Sequence, residues 1–190
     1  LNSMGCQGNW LQLFYPCSEA PTSGAAISLL RQFNRQQQEQ YYHALLDTYL
    51  SWRIILCVLR RWLKLVFVSW RLTEAKHLFR PQNSQVSLWP IMRNDWYASM
   101  RGSGVVENLM WLELFDEVMR DLPHQNKGLY LCENQAWERA MVHAWRKHGH
   151  GKLVGVPSSA TRFWHLSYFS DQRTVRSTDI HPLPQPDLMA

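Results

Sequence analysis

At 190 residues the chain is long enough for one well-cored domain, or for a domain with appendages. Hydrophobic residues at 46% against charged ones at 18% exclude a disordered polar chain. Lys and Arg exceed Asp and Glu by 20 to 15, and the resulting +5 is compatible with nucleotide phosphates, anionic lipid or nucleic acid without selecting among them. Ten Trp suit packed cores first, and sugar faces or membrane interfaces second. Cys6, Cys17, Cys57 and Cys132 show no C-x-x-C spacing, and Cys57 and Cys132 lie inside apolar runs, as buried free thiols of a reducing compartment do. No basic segment followed by an apolar run opens the chain, so no signal peptide is expected. A start at Leu1 and an end rich in Pro point to a fragment.

In chain order, the short apolar run 10–15, bounded by Pro16, predicts a strand. Thr22 and Ser23 then offer caps for a helix carrying Ala26, Leu29, Leu30 and Phe33 at helical spacing. The Gln-rich patch 36–40 reads as helix surface or loop and carries no evident chemistry. Residues 49–72 are the most apolar stretch, yet Arg53, Arg60, Arg61, Lys64 and Arg71 interrupt every long run and exclude a membrane span. Arg53, Arg60, Lys64 and Arg71 are spaced by seven, four and seven residues, which puts them on one narrow helix face. Trp52, Ile55, Leu56, Leu59, Leu63, Val66 and Trp70 occupy the other faces. Such a helix either packs on the core with a solvated basic edge or meets an anionic bilayer or lipid phosphate.

Residues 81–90 read as a connection, with Asn83 and Ser84 as turn residues. After Gly102-Ser103-Gly104 a second helix is expected over 105–122, with Trp111, Leu114, Phe115, Val118, Met119 and Leu122 as its apolar stripe. Its Glu113, Asp116, Glu117 and Arg120 read as a solvated face. Residues 129–132 form a continuous apolar run of the kind that makes a buried parallel strand. Asn134 is placed to cap a helix bearing Trp137, Ala140, Met141, Ala144, Trp145 and His148, and that helix stops at Gly149 behind basic residues. A second apolar strand runs over 152–156 up to Pro157. Strand, helix and strand in about thirty residues make a βαβ unit.

In open α/β sheets ligands bind outside the carboxyl ends of the strands. Two loops lie there: 133–138, with Glu133, Asn134, Gln135, Trp137 and Glu138, and 157–162, with Ser158, Ser159, Thr161 and Arg162. Carboxylates and amides bond hydroxyls while an indole covers a sugar's C–H face, so the first loop suits a polyhydroxyl ligand. The plain alternatives are first-turn placement for Glu138 and the cap itself for Asn134. Arg162 among hydroxyls suits a phosphate or carboxylate, and a structural salt bridge to Glu133 or Glu138 explains it equally well. The His148-Gly149-His150-Gly151 run lacks a Cys or acidic ligand at zinc spacing and reads as a helix C-cap. Neither P-loop, dinucleotide fingerprint, zincin motif nor nucleophile elbow is present.

Leu131-Cys132-Glu133-Asn134-Gln135, Trp137-Glu138 and the run 143–151 resemble the bacterial surface carbohydrate biosynthesis protein family, whose members are glycosyltransferase-like. Arg162-Phe163-Trp164, Tyr168-Phe169 and Asp171 with Arg173-Thr174 resemble its continuation. So do Ser51-Trp52-Arg53, Leu88-Trp89-Pro90, Asp95-Trp96 and Glu107-Asn108-Leu109 upstream. Two positions depart from the family's pattern: Ser158-Ser159 stands where a His-Ser pair is expected, and His165 where an Asp is expected.

The resemblance implies an α/β fold, with a Rossmann-like parallel sheet and flanking helices as one half of a two-domain GT-B architecture. On that reading 1–48 starts the N-terminal domain, 49–80 is the amphipathic basic helix, 81–176 is the α/β core, and 177–190 is a Pro-rich linker towards a second domain. It implies transfer of a sugar from a nucleotide-sugar donor to a glycan or lipid-linked acceptor in the cytoplasm, by a fragment inactive alone. Glu133 would be the base, Asn134, Gln135, Trp137, Glu138, Ser158 and Ser159 would position sugar, and Arg162 would meet a phosphate or an acidic sugar. No resident cofactor or metal is implied. Arg53, Arg60, Lys64 and Arg71 are the candidate contacts to the inner membrane. The competing expectation is a non-catalytic basic module for anionic membrane or nucleic acid, with nucleic acid disfavoured.

Overall fold

The computed structural model describes residues 8–36, 41–81, 83–158 and 182–189. The chain forms two units, Leu1–Trp52 and Arg53–Ala190. Both are mixed α/β with short parallel sheets and flanking helices.

In the first unit β1 (Gly8–Gln12) and β2 (Tyr41–Leu45) pair in parallel, with Trp10 opposite His43, and α1 (Ser23–Gln36) connects them. Thr22 Oγ1 accepts the Ala25 N–H at 3.2 Å, the cap expected for α1. Strand β1 ends at Gln12, short of the expected Tyr15. Its last partner is Leu45, after which the chain turns into a 3-10 helix (Leu46–Tyr49), so Phe14 and Tyr15 have no ladder to join. The Asn34 amide both donates to the His43 carbonyl (2.8 Å) and accepts the His43 N–H (2.9 Å), standing in for one residue of a neighbouring strand.

The second unit opens with α2 (Trp52–Arg71), followed by a 3-10 segment (Thr73–Phe79), α3 (Trp89–Arg101) and α4 (Ser103–Asp121). Helix α3 was not anticipated. Pro90 lies in its first turn, where a missing N–H costs nothing, and the Trp89 ring packs on Phe79 (5.3 Å) and Trp96 (6.4 Å). Then come β3 (Lys127–Cys132), α5 (Ala136–Lys147) and β4 (Lys152–Pro157), the expected strand–helix–strand unit. Strands β3 and β4 are parallel and in register from Lys127↔Lys152 to Cys132↔Pro157. Leu188–Met189 adds a third parallel strand, β5, beside β4.

The core lies between Leu114, Phe115, Val118 and Met119 of α4, Ala140, Met141, Ala144 and Trp145 of α5, and Leu153 of β4. Trp145 lies over Gly128 so closely that a Cβ there would meet its ring at 2.7 Å. The same indole donates to the Gly151 carbonyl at 2.7 Å, which locks the turn after α5.

Three sequence expectations need correction. Strand β3 is buried on one face only: Cys132 is buried behind α5, whereas Leu129 and Leu131 on the opposite face are exposed. The acidic residues of α4 form half-buried joints rather than a solvated face. Glu113 pairs with Arg61 (2.9 Å), Glu117 with Arg120 and Arg53, and Asp116 with Lys147 (2.7 Å) and His148 (2.8 Å). The described end of the chain is tied to the sheet instead of leaving it as a linker. Asp187 accepts the Leu153 N–H (2.7 Å) and the Arg146 guanidinium (2.7 Å), and its own N–H donates to the Leu153 carbonyl. Helix α2 buries Ile54, Val58 and Ser69, whereas Leu56, Leu59, Leu63 and Trp70, placed by the sequence on the faces away from the cations, are exposed. No helix among the described residues is long and apolar enough to cross a membrane.

Candidate functional site

The site expected from sequence is the carboxyl end of β3 and β4, and its geometry is set by one side chain. Glu138, in the first turn of α5, is buried and spends both carboxylate oxygens on the loop before it. Its Oε1 accepts the N–H of Glu133 and the N–H of Gln135, each at 2.7 Å, and its Oε2 accepts the Cys132 thiol at 3.2 Å. This is the carboxylate half of a capping box, with Gln135 as N-cap and Glu138 three residues on. Two roles expected from sequence therefore change. Glu138 is turned away from the open edge, because burial and bonds to two backbone N–H groups and the Cys132 thiol commit it to holding the turn. Asn134 is not the cap: it precedes the cap residue and takes the left-handed conformation (φ 60°), which Asn tolerates better than most residues.

The outcome is a rigid turn with its polar side chains outward. Glu133, Asn134 and Gln135 are all exposed at the end of β3. Ser158 follows the Cys132↔Pro157 register pair on the adjacent strand, is exposed, and its N–H reaches the Cys132 carbonyl at 3.4 Å. The structure thus brings Glu133, Asn134, Gln135 and Ser158 to one edge. Among the described residues the Glu133 carboxylate makes no hydrogen bond or ion pair. Ser159 and Arg162, also expected here, lie outside the described residues, as does the departure at His165.

Trp137 is a further correction. Its ring stacks on Phe115 (6.2 Å) and meets Tyr130 edge-on (6.3 Å), so it is half-buried cement between α4, α5 and β3 instead of an open platform for a sugar face. Burial holds the Cys132 thiol above its ordinary value, and the Glu138 carboxylate that accepts its proton adds to this. A buried thiol kept protonated is a poor nucleophile. Burial likewise raises the Tyr130 phenol, with the Cys132 and Glu138 charges adding to it.

The histidine run is structural, as expected. His148 is the C-cap of α5, and Gly149 takes the positive φ (71°) that ends the helix. His150 is buried against Trp145 (ring centroids 4.7 Å apart), with its Nδ1 accepting the Gln125 N–H and its Nε2 donating to the Met119 carbonyl. Both ring nitrogens are spent, so neither can ligate a metal. Among the described residues no group of three His, Cys, Asp or Glu is placed to hold a metal ion.

Of the four cations expected on α2, Arg60, Lys64 and Arg71 are exposed, and Arg53 is three-quarters exposed with Glu117 at 3.8 Å. The fifth, Arg61, is drawn to Glu113. The first unit has a concavity of about 240 Å³ lined by Ile27, Leu30, Asn34, Tyr42, His43 and Thr48. It holds no carboxylate, and its His43 is bonded to Gln12 (3.2 Å) and stacked on Trp10 (6.1 Å), so it adds no acid–base pair.

Sequence reasoning weighed Glu138 as a sugar ligand and missed its loop-holding role. The signal was present, since Glu three residues after a capping position is the capping-box spacing. The Asp187–Arg146 tie had no local signal, because its partners are 41 residues apart. Compared with known proteins, the chain matches no family model, no curated protein and no solved structure.

Proposed function

We propose that this chain is a glycosyltransferase-like component of surface polysaccharide assembly, acting as the glycan-facing half of a GT-B architecture. The carboxyl edge of β3 and β4 would present Glu133, Asn134, Gln135 and Ser158 to sugar hydroxyls. The observation that carries this reading is the turn 133–135, held by buried Glu138 with three polar side chains outward at the end of a parallel strand. Carboxyl ends of parallel strands are the usual ligand edge of α/β sheets, and a preset turn binds without first being ordered. The motif resemblance over 129–151 supplies the sugar-transfer chemistry that the fold alone does not select.

On this reading Glu133 accepts the proton of an acceptor hydroxyl as its oxygen attacks the anomeric carbon, while the nucleotide leaves with the electron pair of the broken glycosidic bond. Asn134, Gln135 and Ser158 orient the acceptor. Trp137 and Glu138 contribute by holding the turn. Amide chemical-shift mapping tests it, using uridine-, guanosine- and cytidine-linked sugars and neutral and acidic oligosaccharides. The expected result is perturbation centred on Glu133, Asn134 and Gln135, weakened about tenfold by Glu133→Gln through loss of one charged hydrogen bond. No perturbation of the turn by any of these ligands would overturn the proposal.

A further inference from the structure

The twenty residues of α2 contain five cations and no carboxylate. At about 100° per residue they divide into three strips along the helix. Ile54, Val58 and Ser69 face the protein, with the Trp62 indole donating to the Arg101 carbonyl beside them. Next to that strip run Leu56, Leu59, Leu63, Phe67 and Trp70, spaced by three or four residues and each between 46% and 62% exposed. Along the outer border of this apolar strip run Arg53, Arg60, Lys64 and Arg71. Arg71 rests on the Phe67 ring (4.6 Å), while Arg60 and Lys64 have no ion pair among the described residues.

We propose that this outer face of α2 docks in the plane of an anionic lipid bilayer, independently of any sugar chemistry elsewhere in the chain. The charge argues for the occupant: a row of cations in which Arg53 alone approaches an acid among the described residues, Glu117 at 3.8 Å, complements a layer of lipid phosphates and carboxylates. The apolar strip argues against nucleic acid, whose phosphate surface offers nothing to a continuous Leu, Phe and Trp ridge. The helix lies along the surface, since no stretch of it is apolar enough to cross. An interfacial helix sinks its apolar strip to the headgroup–acyl boundary while the cations stay at phosphate depth, and an indole such as Trp70 favours that boundary. Ile54, Val58 and Ser69 keep the rest of the unit on the aqueous side.

Flotation of the whole chain with vesicles of phosphatidylcholine containing 30% phosphatidylserine, against pure phosphatidylcholine, is the test. Binding is expected only to the anionic vesicles. Arg60→Gln with Lys64→Gln is expected to weaken it roughly 30-fold from the loss of two interfacial charges. Leu59→Ser with Leu63→Ser is expected to weaken it as strongly. All four positions are exposed, so circular dichroism should remain unchanged. Absence of flotation overturns the proposal. So does flotation unaffected by the Leu pair, which would leave charge alone at work. So does a wild-type dimer that the Leu pair dissociates without vesicle binding, which would make the face a contact between copies of this chain.

Discussion

Replacing Glu138 by Ala is the most direct probe of how the candidate edge is built. The side chain accepts two backbone N–H groups at 2.7 Å and the Cys132 thiol at 3.2 Å from a buried position. Hydrogen bonds to a charged acceptor contribute roughly 1.5–3 kcal/mol each. The turn residues are exposed, so water can recover part of what is lost, and a total of about 2–3 kcal/mol is the reasonable expectation. For a unit of this size that corresponds to a fall in Tm of roughly 5–10 °C. Glu138→Gln retains an oxygen for both N–H groups and loses only the charge, so it should cost about 1 kcal/mol. Hydrogen exchange supplies the local readout. The Glu133 and Gln135 amides should be protected in the wild type, partly protected in the Gln variant and unprotected in the Ala variant. An Ala variant that melts within a degree of wild type, with both amides still protected, would refute the reasoning.

Two further substitutions test the scaffold. The Asp116 carboxyl is pushed up by burial, but hydrogen bonds and charges from Lys147 and His148 outweigh that and hold it below its ordinary value of 3.8. A carboxyl lowered on folding gives stability that is full above the unfolded value and is lost as pH falls through the folded one. Asp116→Asn should therefore cost about 1 kcal/mol at neutral pH in urea titrations, with the gap to wild type closing below about pH 3.8; a gap of equal size at pH 7 and pH 3 would contradict it. At Gly151 a Cβ would stand 2.1 Å from the Asn126 carbonyl oxygen, which belongs to backbone and cannot swing aside. Gly151→Ala should cost about 3 kcal/mol or more, measured the same way, whereas a loss under about 1 kcal/mol would mean that the 123–126 loop gives way freely.

What the sequence disclosed follows the range of the forces involved. Helix α1 with its Thr22 cap, helix α4, and the strand–helix–strand unit of β3, α5 and β4 are written in near-neighbour spacing, and all were legible. Helix α3 was not, because its apolar contacts are aromatic rings brought together from Phe79, Trp89 and Trp96 rather than a regular stripe. The two-residue strand β5 has no pattern of its own and depends on Asp187 reaching Leu153 across 34 residues. Apolar periodicity marked α2 as amphipathic without saying which apolar strip faces inward: Ile54 and Val58 are buried, Leu56 and Leu63 are not. For the edge itself, residue chemistry nominated a loop that the fold leaves exposed at the carboxyl end of β3. It set Glu133 ahead of Glu138 as the chemical group, but the burial that makes Glu138 a strut and leaves Glu133 exposed has no signal in a turn carrying both carboxylates.

That separation has a consequence for stability and binding. Among the described residues of the second unit, Glu113, Asp116, Glu117, Glu138 and Asp187 are all engaged by cations or backbone N–H groups. The Glu133 carboxylate, by contrast, leaves the same turn exposed and unbonded, although its backbone N–H is held. A side chain that supports nothing can be changed without loosening the fold, whereas its neighbour five residues on cannot. Glu133→Gln should leave Tm within about 1 °C of wild type, the usual range for a surface substitution. Glu138→Ala should lower Tm and scatter the turn together, so any ligand affinity of the edge should fall with both variants but for different reasons. If Glu133→Gln destabilised the chain as much as Glu138→Ala, the carboxylate would be structural after all, and the proposal would lose its base.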